Sequence, residues 1–181
     1  MVAYLFNFYI KTQLKLVFYC FFKKRTFRMK IYNLTRVQTM PVPLEEAWDF
    51  FSSPVNLKTI TPDYMGFNIT SDLGNGKMFA GQIITYKVTP LFNIPMNWVT
   101  EITHVVDHKY FVDEQRFGPY ALWHHQHWFK SVNGGVEMTD IVNYGLPFDP
   151  IGRIAIGLVR SKLDEIFDYR VKKVEELFGK V

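Results

Sequence analysis

The sequence predicts an α+β fold, a seven-stranded antiparallel sheet wrapped around one long C-terminal helix, with two short helices after strand 1. Three observations predict it. Residues 78–146 fall into five segments rich in Ile, Val, Thr, Tyr and Trp, separated by short turn signals. Residues 41–62 hold short amphipathic stretches bounded by prolines. Residues 151–178 keep a helical apolar period to their end.

Residues 30–40 mix β-branched, aromatic and polar positions as a first strand does, and Pro41 and Pro43 stop it. Residues 44–51 are apolar at Leu44, Ala47, Trp48, Phe50 and Phe51, the spacing of a short helix that Pro54 ends. A second short helix is expected over about 55–60, closed by Pro62, and a short strand over Phe67 to Ser71. After a turn at Gly74-Asn75-Gly76, strands are expected over 78–89, 96–106, 110–117, 121–131 and 136–146. Pro90 and Pro95, Asp107-His108, Gly118-Pro119 and Asn133-Gly134 separate them, so the sheet is an antiparallel meander. For the last helix, Asp149 is the expected cap and Pro150 suits the first turn. Its apolar stripe runs from Ile151, Ile154, Ala155 and Leu158 through Leu163 and Phe167 to Val174 and Phe178. It should reach roughly 40 Å, enough to cross a sheet, with Gly152 and Gly157 letting its start lie close to the strands. A sheet curled around such a helix, wedged open at one end by the two short helices, encloses a cavity.

With 181 residues and 48% hydrophobic content, the chain fits one domain with a sizeable core. Its single cysteine, Cys20, excludes a disulfide framework and a cysteine-based zinc site, and suits the reducing cytoplasm. The net charge of +4 is unevenly spread. Residues 1–28 carry six bases and no acid, whereas 29–181 hold fifteen bases against seventeen acids. That mildly acidic body argues against nucleic acid as a partner. The basic, aromatic first 28 residues match neither a transmembrane helix, because Asn7, Lys11, Gln13 and Lys15 interrupt the apolar run, nor a secretory signal. The expectation is that the domain spans 29–181 and that 1–28 is an extension, either upstream sequence ahead of a start at Met29 or an interfacial amphipathic anchor. Membrane contact is expected only through that extension.

Strand periodicity points to a site. On 121–131, Trp123, His125, His127 and Phe129 share one face and Leu122, His124, Gln126 and Trp128 the other. A turn centred on Asn133-Gly134 sets Phe129 opposite Met138, His127 opposite Asp140, His125 opposite Val142 and Trp123 opposite Tyr144. A three-residue loop at 118–120 sets Asp113 opposite His125. One inner face then carries Asp113, Gln115, His125, His127, Asp140 and Tyr144 among large apolar groups, and a one-residue slip would turn them all outward.

The order of elements, together with ITPDYMGF at 60–67, GQIITYKV at 81–88, PMNWVTEI at 95–102 and FVDEQRFGPY at 111–120, resembles the helix-grip superfamily. WHHQHWF at 123–129, MTDIVNYGLPFDPIG at 138–152 and Arg170 complete the set. That superfamily comprises the START and SRPBCC domains, including polyketide cyclases, lipid-transfer domains and the birch-pollen allergen. The chain is most similar to small bacterial SRPBCC proteins of the cyclase/dehydrase-like or ligand-binding kind. The resemblance covers 29–181 and implies that 113, 125, 127 and 140 recur as D, H, H and D. It also implies that Arg170 reaches an acid beneath the helix, and that such a domain can accompany a nucleotide-sugar epimerase-like protein. It does not choose one activity.

Four explanations of the Asp–His cluster stay open. The pairs can simply satisfy each other's hydrogen bonds in a semi-buried sheet. They can orient a ligand in an apolar pocket. A His polarised by Asp can move protons, as cyclisation or dehydration requires, with His125, His127, Asp113 and Asp140 as catalytic candidates. Last, His-x-His with Asp113 or Asp140 can form a facial metal set, a weak pattern without a third histidine or a cysteine. No nucleophile elbow, P-loop or dinucleotide-binding glycine motif is present. The expected function is therefore binding of a small hydrophobic molecule (a lipid, isoprenoid, polyketide or aromatic metabolite), with no metal or other cofactor. The binding residues would be Tyr86, Trp98, Asp113, Gln115, Trp123, His125, His127, Asp140 and Tyr144. The alternative is a cyclase/dehydratase-like enzyme using an Asp–His pair as general acid and base. Because polar groups cannot lie dry against the helix, the helix should stand off the sheet near its middle and leave a pocket of roughly 300–1,000 Å³.

Overall fold

In the computed structural model the described residues are 29–74, 76–89, 94–147 and 151–181, the side chains of 151–153 excepted. Strand β1 (Ile31–Met40) leads into helix α1 (Leu44–Phe51), then 3-10 helices at Pro54–Lys58 and Asp63–Met65. Strands β2 (Asn68–Ile69), β3 (Gln82–Val88), β4 (Met96–Val106), β5 (Tyr110–Phe117), β6 (Leu122–Val132) and β7 (Gly135–Gly145) follow, and helix α2 (Ile151–Phe178) closes the chain. The strands form one antiparallel sheet in the order β1-β7-β6-β5-β4-β3-β2, a meander closed on one side by the first strand. This is the helix-grip architecture.

The differences from expectation lie where tertiary contacts outweigh local preference. β2 is two residues long rather than five, and β3 begins at Gln82 rather than 78. The second short helix is a 3-10 turn opened by Pro54, and Asp63–Met65 adds another that the sequence did not announce. Asn75, Pro90, Asp149 and Pro150 lie outside the described residues. Asn133-Gly134 is the two-residue β6–β7 turn, with Gly134 at φ +87°, a conformation that glycine adopts without strain.

Pairing follows the expected register throughout the cluster. Trp123 is opposite Tyr144, His125 opposite Val142, His127 opposite Asp140, and Phe129 opposite Met138. On the other side of β6, Asp113 is opposite His125. The outward face carries the solvated charges: Glu101 and Glu114 lie side by side across β4–β5, and Arg116 bridges them at 2.6 and 3.2 Å.

The expected helix stands off the sheet near its middle and lies close to the strands at its start; in the structure the middle of α2 packs on β1 and β7 and its first described turns do not lie close to the sheet. The helix is tied to the edge strand β1, where Arg36 pairs with Asp164 and Gln38 Nε2 donates to the Val171 carbonyl at 2.9 Å. Leu163, Phe167 and Val174 are buried, but Ile154 is 86% exposed and Leu158 45%. The first turns of α2 therefore extend past the sheet, and a Cβ on Gly157 would meet only open space, so that glycine serves no close approach. Apolar contact is concentrated at three places. At one end Trp48 and Phe51 of α1 and Val174 of α2 pack on Met40, Phe111, Phe129 and Val136. Under the middle of α2, Tyr32, Val142 and Tyr144 meet Leu163 and Phe167. At the far side, Phe67 packs on Val88 and Trp98. A helix anchored over β1 and β7 leaves the inner face of β3–β6 to be roofed by the 50–67 segment, and the cavity lies there.

Candidate functional site

The cavity has a volume of about 160 Å³. Its floor is the inner face of β3–β6: Ile84 and Tyr86, Trp98, Thr100 and Ile102, Phe111 and Asp113, and Trp123, His125 and His127. Each set has the two-residue period that puts alternate side chains on one face of a strand. Its roof is Phe50 and Phe51 of α1 with Leu57, Ile60, Met65 and Phe67, and α2 contributes Ile166 and Arg170. The volume is below the expected range because aromatic rings fill the space. Tyr86 stacks on Trp98 with centroids 5.9 Å apart, and Trp98 meets the Trp123 ring edge at 5.4 Å.

Six of the nine residues predicted from sequence line this cavity: Tyr86, Trp98, Asp113, Trp123, His125 and His127. Asp140 sits behind the two histidines, 7% exposed. Gln115 is occupied elsewhere. Its side chain donates to the Tyr120 carbonyl at 2.7 Å and accepts from the Tyr120 N–H at 3.2 Å, closing the β5–β6 loop. Tyr144, 1% exposed, packs against Tyr32 beneath α2 instead of facing the cavity. Thr100 was readable from the same alternation as Trp98 and Ile102, and its hydroxyl is 2.7 Å from the Tyr86 hydroxyl. The roof residues carried no local signal, since only long-range packing brings 50–67 over β3.

The polar end of the cavity is a closed square of two carboxylates and two imidazoles. His125 Nε2 is 2.9 Å from Asp140 Oδ1, and His127 Nε2 is 2.9 Å from Asp113 Oδ2, both in hydrogen-bonding geometry. The other two sides are His127 Nδ1 to Asp140 Oδ1 at 2.8 Å and His125 Nδ1 to Asp113 Oδ2 at 3.4 Å. The aligned bonds thus run to diagonal neighbours across the strands, while the directly opposite pairs make the poorer contacts. His127 Nδ1 is buried and lacks an aligned partner. The rings lie 3.7 Å apart, and Phe111 stacks on His127 at 4.1 Å, which holds both imidazoles in place.

Burial and partners work against each other here. Burial alone would raise both carboxyls, but the charge of His125 and the bond from His127 hold Asp113 below its ordinary value, with Arg170 adding to the effect. Hydrogen bonds from His125 and His127 likewise hold Asp140 well below its ordinary value against its burial. Burial lowers His125, reinforced by the neighbouring His127 and only partly opposed by the carboxylates. For His127 burial is outweighed by its bonds to Asp113 and Asp140, and its pKa is raised. Two adjacent imidazoles with opposed shifts are an acid–base arrangement in form. Burial and the charge of Asp113 push the Tyr86 hydroxyl far up, so it stays protonated. Arg170, which the resemblance places on an acid beneath the helix, faces the cavity with its guanidinium 4.8 Å over Phe167 and its Nε buried without a hydrogen-bond partner. Asp113, His125 and His127 each offer one donor atom within 4.8 Å of the others, the set able to hold a metal ion.

Solved structures place the fold. The chain is similar to protein Ms6760 from Mycobacterium smegmatis (TM-score 0.59, 16% identity, covering 80% of this chain and 89% of that one). It is similar to TTHA0849 from Thermus thermophilus (TM-score 0.60, 15% identity, 80% and 95% covered) and to Ara h 8.0201 (TM-score 0.55, 15% identity, 81% and 99% covered). No family model matches the sequence, and no curated protein matches it. At these identities the likeness is one of fold: the helix-grip fold, a seven-stranded antiparallel sheet with a long C-terminal helix. Among the described residues, no helix is long and apolar enough to cross a membrane.

Proposed function

We propose that the protein binds a small hydrophobic molecule in the cavity between the sheet and the 50–67 roof, with the Asp–His square and Arg170 facing its polar end. The observation that carries this reading is an apolar cavity of about 160 Å³ bounded on one wall by buried, orienting polar groups. The volume narrows the ligand class. An apolar cavity of about 150 Å³ takes up benzene, so a single aromatic ring or one isoprenoid unit fits this one as it stands. A diacyl lipid or multi-ring polyketide would require the 54–65 segment to move aside. Solvent extraction and mass spectrometry of the purified protein test the reading, followed by titration of the emptied protein with benzene, phenol, indole and naphthalene. A stoichiometric small hydrophobic molecule, or saturable uptake of the one-ring probes, supports it. An empty protein that takes up none of them overturns it.

The opposed imidazoles favour a second reading, a cyclase/dehydratase-like enzyme in which His127 moves a proton on a bound substrate. It predicts that His127→Gln abolishes turnover of an identified ligand while its affinity changes little. Loss of affinity without any turnover in the unaltered protein would leave only the binding reading.

A further inference from the structure

We propose that Asp113, His125 and His127 form a binding site for a divalent transition-metal cation at the cavity wall, with Asp140 as the group that orients both imidazoles. The three residues come from neighbouring strands β5 and β6, and their side chains share the inner face. One donor atom of each lies within 4.8 Å of the other two. Asp113 Oδ2 is 3.4 Å from His125 Nδ1 and 2.9 Å from His127 Nε2. Donors about 2.0–2.1 Å from a metal stand about 2.9 Å apart at right angles and about 3.4 Å apart in a tetrahedron, so both edges already have metal-site length.

A count of protons points the same way independently. The square has four nitrogen–oxygen contacts of 2.8–3.4 Å. Two neutral imidazoles have only two N–H groups to fill them, and a third comes only by charging His127. With both N–H groups on Nε2, the bonds to Asp140 and Asp113 are made, but His127 Nδ1 is left buried, 2.8 Å from Asp140 Oδ1 and unpartnered, on a side chain only 9% exposed. A cation between Asp113 and the two rings resolves this. His125 keeps its Nε2–H on Asp140 and presents Nδ1, while His127 moves its proton to Nδ1, gives it to Asp140 and presents Nε2. Every nitrogen then has a use, and both ligating rings donate their second N–H to one carboxylate, the usual outer support of a metal-bound histidine.

Charge and access agree. Two carboxylates, Asp113 and Asp140, stand at this end of the cavity, and Arg170 is the cation of α2 that faces it. A dication neutralises the pair, and Arg170 is then free to meet an anionic group bound beside the metal. Asp113, His125 and His127 face the cavity, whereas Asp140 lies behind them, so the open coordination positions point toward the bound molecule. Two imidazoles and one carboxylate without thiolate select Zn²⁺, Fe²⁺ or Co²⁺ over Mg²⁺ or Ca²⁺. Metal binding is read with the cavity empty, so it does not depend on whether the cavity takes up a hydrophobic ligand.

The test uses the untagged full chain, freed of metal by chelator dialysis and titrated with Zn²⁺ by calorimetry and with Co²⁺ by visible absorption. One ion per chain is expected, with a Co²⁺ ligand-field spectrum and a raised melting midpoint in excess Zn²⁺. The D113N/H127Q double variant should lose at least a hundredfold in affinity. D140N should weaken binding about 10- to 100-fold and change the Co²⁺ spectrum, since it acts through the rings. E101Q, on the outer face, should bind as the unaltered chain does. Binding retained in D113N/H127Q would mean that exposed histidines hold the ion and would overturn the proposal. Should that variant fail to fold, the unaltered chain decides: no Co²⁺ spectrum and no Zn²⁺ shift of its midpoint overturns the proposal equally.

Discussion

Ile102→Ala tests whether the cavity is a binding site or a packing defect. Ile102 is 2% exposed on β4, between Thr100 and the β4–β5 bulge, and its side chain forms part of the cavity floor. Removing three carbon atoms at about 0.8 kcal/mol per buried methylene costs about 2.4 kcal/mol. The loss should stay near the bottom of the ~2–5 kcal/mol range for such truncations, because the space joins an existing cavity rather than opening a new void. For a domain of this size that is a fall in melting midpoint of roughly 5–10 °C. Leu163→Ala is the matched control. It also deletes three carbons from a buried site, 5% exposed, but on the sheet-facing side of α2 against Tyr32 and Tyr144. Chemical denaturation gives the two stability losses, and calorimetric titration with a probe series from benzene to naphthalene gives the binding profile. Ile102→Ala should gain affinity for the two-ring probe, and Leu163→Ala should not. Equal profiles for the two variants, or no gain in either, would refute the assignment of the binding space.

Asp140→Asn should leave the fold intact but lower stability by about 1.5–3 kcal/mol, the value of a charge-assisted bond, because its Oδ1 accepts from His125 at 2.9 Å; urea denaturation measures it, and no change would mean that the square does not hold β6 to β7. Gly135→Ala should destabilise by more than about 1 kcal/mol, since Gly135 sits at positive φ at the start of β7 and a Cβ there would overlap the Met40 carbonyl. A chain of residues 29–181 should melt within a few degrees of the full chain, because every strand and both helices described lie within it. A larger fall would show that residues 1–28 pack on the body.

Loop chemistry made most of the sheet legible. Asn133-Gly134 admits a two-residue turn, and once that turn is set the pairing of His127 with Asp140 and Trp123 with Tyr144 follows with no freedom left. Between β5 and β6 four residues, 118–121, lie outside the strands rather than the three expected, and Asp113 is still opposite His125. These are short-range constraints, so the two histidines and two aspartates could be assigned to one inner face from the sequence alone. The helical period of 151–178 was equally legible as a helix, because periodicity is a property of consecutive residues.

Where that helix lies is another matter. Its apolar stripe runs over the whole length, yet among its described side chains only Leu163, Phe167 and Val174 are buried, because Arg36 and Gln38 of the edge strand hold it over β1 while Ile154 and Leu158 project past the sheet. No period in the helix encodes that offset. Gln115 shows the same limit. Alternation put it on the inner face, but its amide is spent on the Tyr120 backbone, a contact set by the path of the loop. The sequence determined which residues share a face, because side-chain alternation and turn length act between near neighbours. Tertiary structure alone decided which of them border the cavity, and that each histidine bonds the diagonal carboxylate instead of the opposite one, because ring orientation and the 50–67 roof depend on packing between segments far apart in the chain.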